Sequence, residues 1–229
     1  MTFIPFPICH WSVSSATRTF VANTAASAGS TTYTFTSVAL GSAIGTSLVA
    51  VIVHIGANGG SLSSISSASI NGVGATIHAQ NNGGGSGGAL LSIGVCGVIS
   101  ATTSGASGSI VITGNTSSVG CGIEVYRLNN LTSVTPNFTA TASTGANGAS
   151  SVSTTINITA SGILLLGSTN YGGGTITGAG ATKDVTQVSN GQVQCWGGSN
   201  DTLPTQSNRS ISGSWSSTAG GALAAATWN

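Results

Sequence analysis

The chain has 229 residues, of which only 3% are charged: Arg18, Arg127, Lys183 and Arg209 stand against Glu124, Asp184 and Asp201, for a formal net charge of +1. About 25% is ordinary for a soluble domain; four scattered cations cannot neutralise a run of phosphates, which excludes a nucleic-acid partner. No apolar run approaches the roughly 20 residues that span a bilayer, which excludes an integral membrane protein, and the cysteines at 9, 96, 121 and 195 lack the spacing of a CxxC site or a disulfide scaffold and read as small buried hydrophobes.

Residues 1–30 come first as an apolar arm. Phe3, Ile4, Phe6, Ile8, Trp11 and Phe20 are its large side chains, and Pro5 and Pro7 interrupt it. The segment has no basic stretch and its prolines break a helical core, so it does not read as a signal peptide. Phe3, Ile4, Phe6, Ile8 and Trp11 are the candidate assembly contacts, because an arm this apolar must be buried against something.

From residue 31 onward the chain predicts strands and turns. Helix formers are scarce, while β-branched residues alternate with small polar ones between Gly and Asn punctuation. Strands are expected near 31–38, 47–55, 65–70, 74–80, 89–99, 108–114 and 119–128. After a Ser/Thr/Gly/Asn stretch at 139–151, more are expected near 152–159, 162–169, 174–178, 181–188, 192–197, 209–215 and 221–228. In the second of these, Val49, Val51, Val53 and Ile55 share one face and Leu48, Ala50, Ile52 and His54 the other, the pattern of a central strand.

The two sets repeat. Ser69 to Thr76 (SINGVGAT) aligns with Thr175 to Thr182 (TITGAGAT), and further on Cys96 matches Cys195 while Ile112, Gly114 and Gly122 match Ile211, Gly213 and Gly221. Asn71-Gly72 in the first copy is a tight hairpin signal. The reading is all-β: an antiparallel, jelly-roll-like β-sandwich built by internal duplication, with the arm at 1–30 and one domain at 31–229 made of halves at about 31–131 and 152–229. The halves could form two tandem sandwiches or one in which they interlock; the second half alone would bury a marginal core, so one domain is the preferred reading.

Chemistry has little to recruit. Of the acids, Glu124 lies inside an apolar strand beside Tyr126 and Leu128, where it is expected to pair with Arg127 or Arg18 or to face a subunit contact. Lys183-Asp184 reads as a solvated pair, and a glycosidase dyad needs the fold to bring two of the three acids together. His10, His54 and His78 fall at no metal-ligand spacing, no GxSxG elbow occurs, and the glycine run at 83–88 lacks the Lys-Ser/Thr of a phosphate cradle. No catalytic, metal or cofactor residue is assigned. Tyr171, Trp196 and Trp215, in Gly/Asn-rich surroundings like Trp228, are the candidates for stacking on a sugar ring if exposed.

SLVAVIVHIGANGG, ISSASINGVGAT, ALLSIGVCGVI and CGIEVYRLNNL resemble a loose group of β-sandwich proteins among the virion structural proteins of tailed bacteriophages, over about residues 30–229. The resemblance implies a place on the virion, assembled in the host cytoplasm, as capsid decoration, head fibre or tail-fibre-associated module. Its implied partners are other virion proteins and further copies of the chain, a trimer favoured, and it offers no catalytic residue. The expected function is therefore a non-enzymatic structural protein of the virion surface. The alternative is a carbohydrate-binding adhesin or receptor-binding module with a host surface glycan as partner. Thr32, Thr34 and Thr36 on one face raise an ice-binding surface as a minor reading, and a polysaccharide-degrading enzyme through Glu124 comes last.

Overall fold

The computed structural model describes residues 15–58, 64–83, 92–145, 147–172, 174–189 and 192–229. These carry strands and no helix. The first nine strands are β1 (Thr17–Ala26), β2 (Ser30–Ala39), β3 (Leu48–Asn58), β4 (Ile65–Ile70), β5 (Val73–Gly74), β6 (Thr76–Gly83), β7 (Ser92–Ala101), β8 (Ser107–Ser118) and β9 (Gly120–Asn129). The rest are β10 (Phe138–Ser143), β11 (Ala149–Ile158), β12 (Gly162–Tyr171), β13 (Ile176–Ala179), β14 (Thr182–Ser189), β15 (Val193–Leu203) and β16 (Gln206–Trp228).

Alternation makes them strands. In β2, Tyr33 and Phe35 are buried while Thr32, Thr34 and Thr36 are exposed, the period of two that one solvated face requires, and a bulge after Phe35 returns Val38 to the buried face. In β9 and β12 all ten positions are buried, which marks strands covered on both faces. Between β4 and β5 the chain reverses at Asn71 and Gly72, with φ of 51° and 78°, the left-handed pair that a two-residue hairpin turn needs.

Every strand pairing is antiparallel. A five-stranded sheet runs β1-β9-β3-β7-β6 and a four-stranded sheet β2-β8-β4-β5, while the third sheet runs β10-β16-β12-β15-β14 with β11 and β13 also on β16. Strand β16 divides its length: residues up to Ala219 pair with β11 and β13, and Gly220 onward pairs with β12. Substituting β10, β16, β12, β15 and β14 for β1, β9, β3, β7 and β6 turns one five-strand order into the other, and β11-β16-β13 likewise stands for β2-β8-β4.

Three apolar layers hold these sheets. Val49, Val51, Val53 and Ile55 of β3 meet Tyr33, Phe35, Ile110 and Ile112 from the four-stranded sheet. Leu48, Ala50 and Ile52, on the other face of β3, meet Ile163, Leu165, Ala222 and Ala224 of the second half. Leu164, Leu166, Leu223 and Ala225 then pack on Val152, Ile156, Ile176 and Ile211. The protein is thus sheet on sheet in four layers, a β-sandwich architecture in which two sandwiches share the middle layer through their five-stranded sheets.

Several sequence expectations change. Each described sheet draws its strands either from β1–β9 or from β10–β16, and β1 and β10 lie outside the halves expected at 31–131 and 152–229. The stretch read as an arm contains β1, whose Phe20 packs edge-on against Tyr126 with ring centroids 5.4 Å apart. Strand β10 occupies part of the polar stretch at 139–151, and the two strands expected at 209–215 and 221–228 are the single strand β16. The candidate contacts Phe3, Ile4, Phe6, Ile8 and Trp11 lie outside the described residues.

Candidate functional site

In a chain with so few charges, the place where they gather is the site to inspect. Alternation along β3 turns His54 toward the middle layer, and alternation along β9 does the same for Glu124 and Tyr126; His54 and Glu124 are 0% exposed. His54 Nε2 lies 3.1 Å from Glu124 Oε1, and its Nδ1 lies 2.6 Å from Thr169 Oγ1 of β12. The Tyr126 hydroxyl reaches Glu124 Oε2 at 3.3 Å and Asp184 Oδ2 of β14 at 3.1 Å. Asp184 also accepts from the Ser199 hydroxyl of β15 and stands 3.9 Å from Arg18 NH1 of β1. Arg18 NH2 donates to the Ser199 carbonyl at 3.3 Å.

Glycine makes the room. A Cβ on Gly197 would collide with the Glu124 carboxylate, and one on Gly167 would strike Ile52 and the Cys96 sulfur. The polar cluster therefore sits where the second half presents bare backbone to the first.

Burial governs its proton affinities. It pushes the Glu124 carboxyl up against the lowering effect of the His54 hydrogen bond, and it pushes the Tyr126 phenol up, helped by the negative charge of Glu124 and Asp184. For His54 burial acts downward, yet hydrogen bonds to Cys96 and Glu124 outweigh it and raise the imidazole to about 10. Tyr126 has one hydroxyl proton for two carboxyl groups, so Glu124 and Asp184 compete for it.

Two of the three acids do converge, the condition for a carboxylate dyad. The order Thr169 or Cys96, His54, Glu124 also has the form of a nucleophile, base and orienting acid. However, Cys96, Thr169, His54 and Glu124 are each 0% exposed. The surface grooves of about 510, 350, 300 and 270 Å³ are lined by other residues. What this arrangement does in the described state is bind the two halves to each other by hydrogen bonds and charge.

Glu124 thus pairs with His54 and Tyr126, not with Arg127 or Arg18. Arg127 lies on the opposite face of β9 and ties loops together, donating from Nε to Leu40 O at 2.9 Å, NH1 to Thr103 O at 2.6 Å, and NH2 to Gly41 O at 3.0 Å and Gly105 O at 2.9 Å. Asp184 is a member of the buried cluster rather than half of a solvated pair, whereas Lys183 is exposed.

The three stacking candidates are buried, at 5% exposure for Tyr171, 2% for Trp196 and 6% for Trp215. Trp196 lies over Gly178 and Gly198, Trp215 donates from Nε1 to Ala149 O at 2.7 Å, and Tyr171 donates to Gln192. None presents a ring face for a sugar. Trp228 is also buried, with His78 edge-on at 5.8 Å. Cys96, Cys121 and Cys195 are buried free thiols, as their spacing predicted. No helix of the described residues is long and apolar enough to cross a membrane.

No family model matches the sequence, and the curated proteins and the solved structures give no match either.

Proposed function

We propose that the chain is a non-enzymatic structural protein of an external protein assembly, and that the assembly is the surface of a tailed-phage virion, as capsid decoration, head fibre or tail-associated module. The observation that carries the reading is the withdrawal of most of the charge from the exterior, Lys183 remaining exposed. Arg18, Glu124 and Asp184 are engaged in the middle layer, Arg127 with loop carbonyls, and Arg209 with Gly180 O at 2.8 Å and Gln206 Oε1 at 2.8 Å. The flanking sheets turn paired hydroxyls outward: Thr32 and Thr113 at 3.2 Å on one, Thr177 and Ser214 at 2.9 Å on the other. Such a surface has little self-repulsion to resist packing against copies or neighbours.

The matching strand orders of the two halves, together with the SINGVGAT and TITGAGAT segments, support descent from a duplicated jelly-roll-like unit. Duplication suits a module that tiles a surface, since it doubles the contact face without a second gene product.

The test has two arms. Light scattering coupled to size exclusion should give a defined homo-oligomer, a trimer favoured, whose size does not change with salt; particles purified from the producing cells should contain the protein. A monomer at every concentration, together with absence from particles, overturns the proposal. The glycan-binding alternative draws no support from Tyr171, Trp196 and Trp215, which are buried.

A further inference from the structure

A histidine and a serine meet at the wall of a surface groove. Strand β6 carries a bulge: Ile77 stands opposite Ile99 and Ala79 opposite Val98, which leaves His78 as the extra residue with no partner across the ladder. A bulge re-aims a side chain, here back toward the pair of Thr76 and Ser100, which stand directly opposite each other. His78 Nε2 lies 2.7 Å from Ser100 Oγ, and the Trp228 indole stands edge-on to the imidazole. Ser100 is 5% exposed, and both residues line the groove of about 350 Å³.

The second half repeats the device with different chemistry. Strand β14 has its bulge at Asp184, between Lys183 opposite Gly198 and Val185 opposite Gly197, and Thr182 stands opposite Ser199 as Thr76 does opposite Ser100. There too the bulged side chain takes the hydroxyl of the serine. Asp184 is enclosed in the middle layer by Tyr126 and Arg18, whereas the pair of His78 and Ser100 opens on the groove. An imidazole in that position takes a proton from the hydroxyl it faces near neutral pH. Burial lowers the proton affinity of His78 and so keeps it in the neutral form that accepts.

The groove suits a small acyl group. Val73 and Val134 supply apolar wall, Thr76 and Thr102 supply hydroxyls, and apart from His78 no titratable side chain lines it. Hydroxyl donors beside a nucleophile stabilise the negative oxygen that forms when it adds to a carbonyl. Its volume lies at the small end of the range for ligand sites, and a lining without charge offers no counterion to a charged donor.

We propose that Ser100 is a covalent modification site, its hydroxyl acylated by a small uncharged activated ester with His78 as the base. Ser100 Oγ adds to the carbonyl carbon as its proton passes to His78 Nε2. The bond from that carbon to the leaving oxygen then breaks, and the leaving group takes the proton from the imidazolium. The serine ends acylated, an alcohol or phenol is released, and nothing is oxidised or reduced. The inference is independent of the virion reading, since a single acylation of each chain asks for no turnover.

The full chain incubated with p-nitrophenyl acetate and mapped by peptide mass spectrometry should carry an acetyl group on Ser100, and unfolding the parent in urea beforehand should abolish that adduct. His78→Gln, whose amide reaches the hydroxyl but takes no proton from it, should slow acetylation of Ser100 by at least about 100-fold, with circular dichroism establishing that the variant is folded. Should it fail to fold, the comparison of native with urea-unfolded parent decides the matter. Nitrophenolate released beyond a single equivalent per chain, and lost in Ser100→Ala, would keep the assignment of Ser100 and overturn the non-enzymatic reading instead. The proposal is overturned if the native parent leaves Ser100 unmodified, if native and unfolded parent are acetylated there at the same rate, or if folded His78→Gln is acetylated there as fast as the parent.

Discussion

His54 and Glu124 share a buried layer with the Tyr126 hydroxyl, Cys96, Thr169 and Asp184 around them, and Arg18 beyond Asp184. Both members of the pair bind protons more tightly folded than unfolded. For His54 the stabilising contribution is whole below its unfolded value of 6.5 and is lost as pH rises toward about 10. For Glu124, raised above 4.5, stability likewise falls as pH rises through its folded value. Denaturant unfolding should therefore show the protein losing stability from neutral to alkaline pH, with a slope of at most about 1.4 kcal/mol per pH unit per group. His54→Gln should flatten that slope; an equal slope in the variant would assign it elsewhere. Tyr126→Phe removes the one hydroxyl that spans Glu124 and Asp184 and should cost about 1–3 kcal/mol. Arg127→Ala leaves four loop carbonyls without their donor and should cost at least about 3 kcal/mol in the same measurement, with Arg127→Lys between the two because an ammonium cannot span the fork. The residue-level pattern was half legible. Alternation places Glu124, Tyr126 and Leu128 on one face, which is where they are. Their partners are 58 and 70 residues away in sequence, on other strands, and no local pattern carries that distance.

At the scale of the element, glycine decides how closely strands approach. The Trp196 ring lies across Gly178 of β13 and Gly198 of β15, where a Cβ on either would enter the indole. Gly178→Val should therefore displace the ring and shift its fluorescence, with loss of about 1–3 kcal/mol from overpacking; an unshifted spectrum would mean that the indole has space to move. Gly197→Ala would drive a methyl into the Glu124 carboxylate, and should remove the alkaline slope along with stability. Strand positions were the most readable part of the sequence, because β-branched alternation and Asn-Gly or Gly punctuation are local signals. The misses have physical causes. Strand β1 lies at an edge with no buried position, so its pattern is weak. Strand β10 is Phe138-Thr-Ala-Thr-Ala-Ser143, too small in its side chains to stand out from a loop. Strand β16 was read as two because residues 216–220, Ser-Ser-Thr-Ala-Gly, look like a break, although there the strand only changes partners from β11 and β13 to β12.

For the whole molecule, the middle layer sets how the two sandwiches unfold. It is built from small groups: Ala222, Ala224 and Ala226 face Ala50 and Ile52, and Gly167 lies so near Ile52 that a methyl would not fit. Close approach of backbones concentrates dispersion contacts, and the buried His54 cluster adds hydrogen bonds that neither half can satisfy alone. The parent protein should consequently melt in one transition. Ala224→Glu puts an unpaired charge into this layer without touching either outer layer, and it should uncouple the sandwiches. Among the described residues the first sandwich encloses 20 buried apolar side chains and the second 12. The second should then melt first, followed by Trp196 and Trp215 fluorescence, with the first sandwich persisting to higher temperature in calorimetry. Coincident loss of both signals in Ala224→Glu would mean that neither half holds its own core, and that the shared layer is the condition for folding rather than a seam between two stable units.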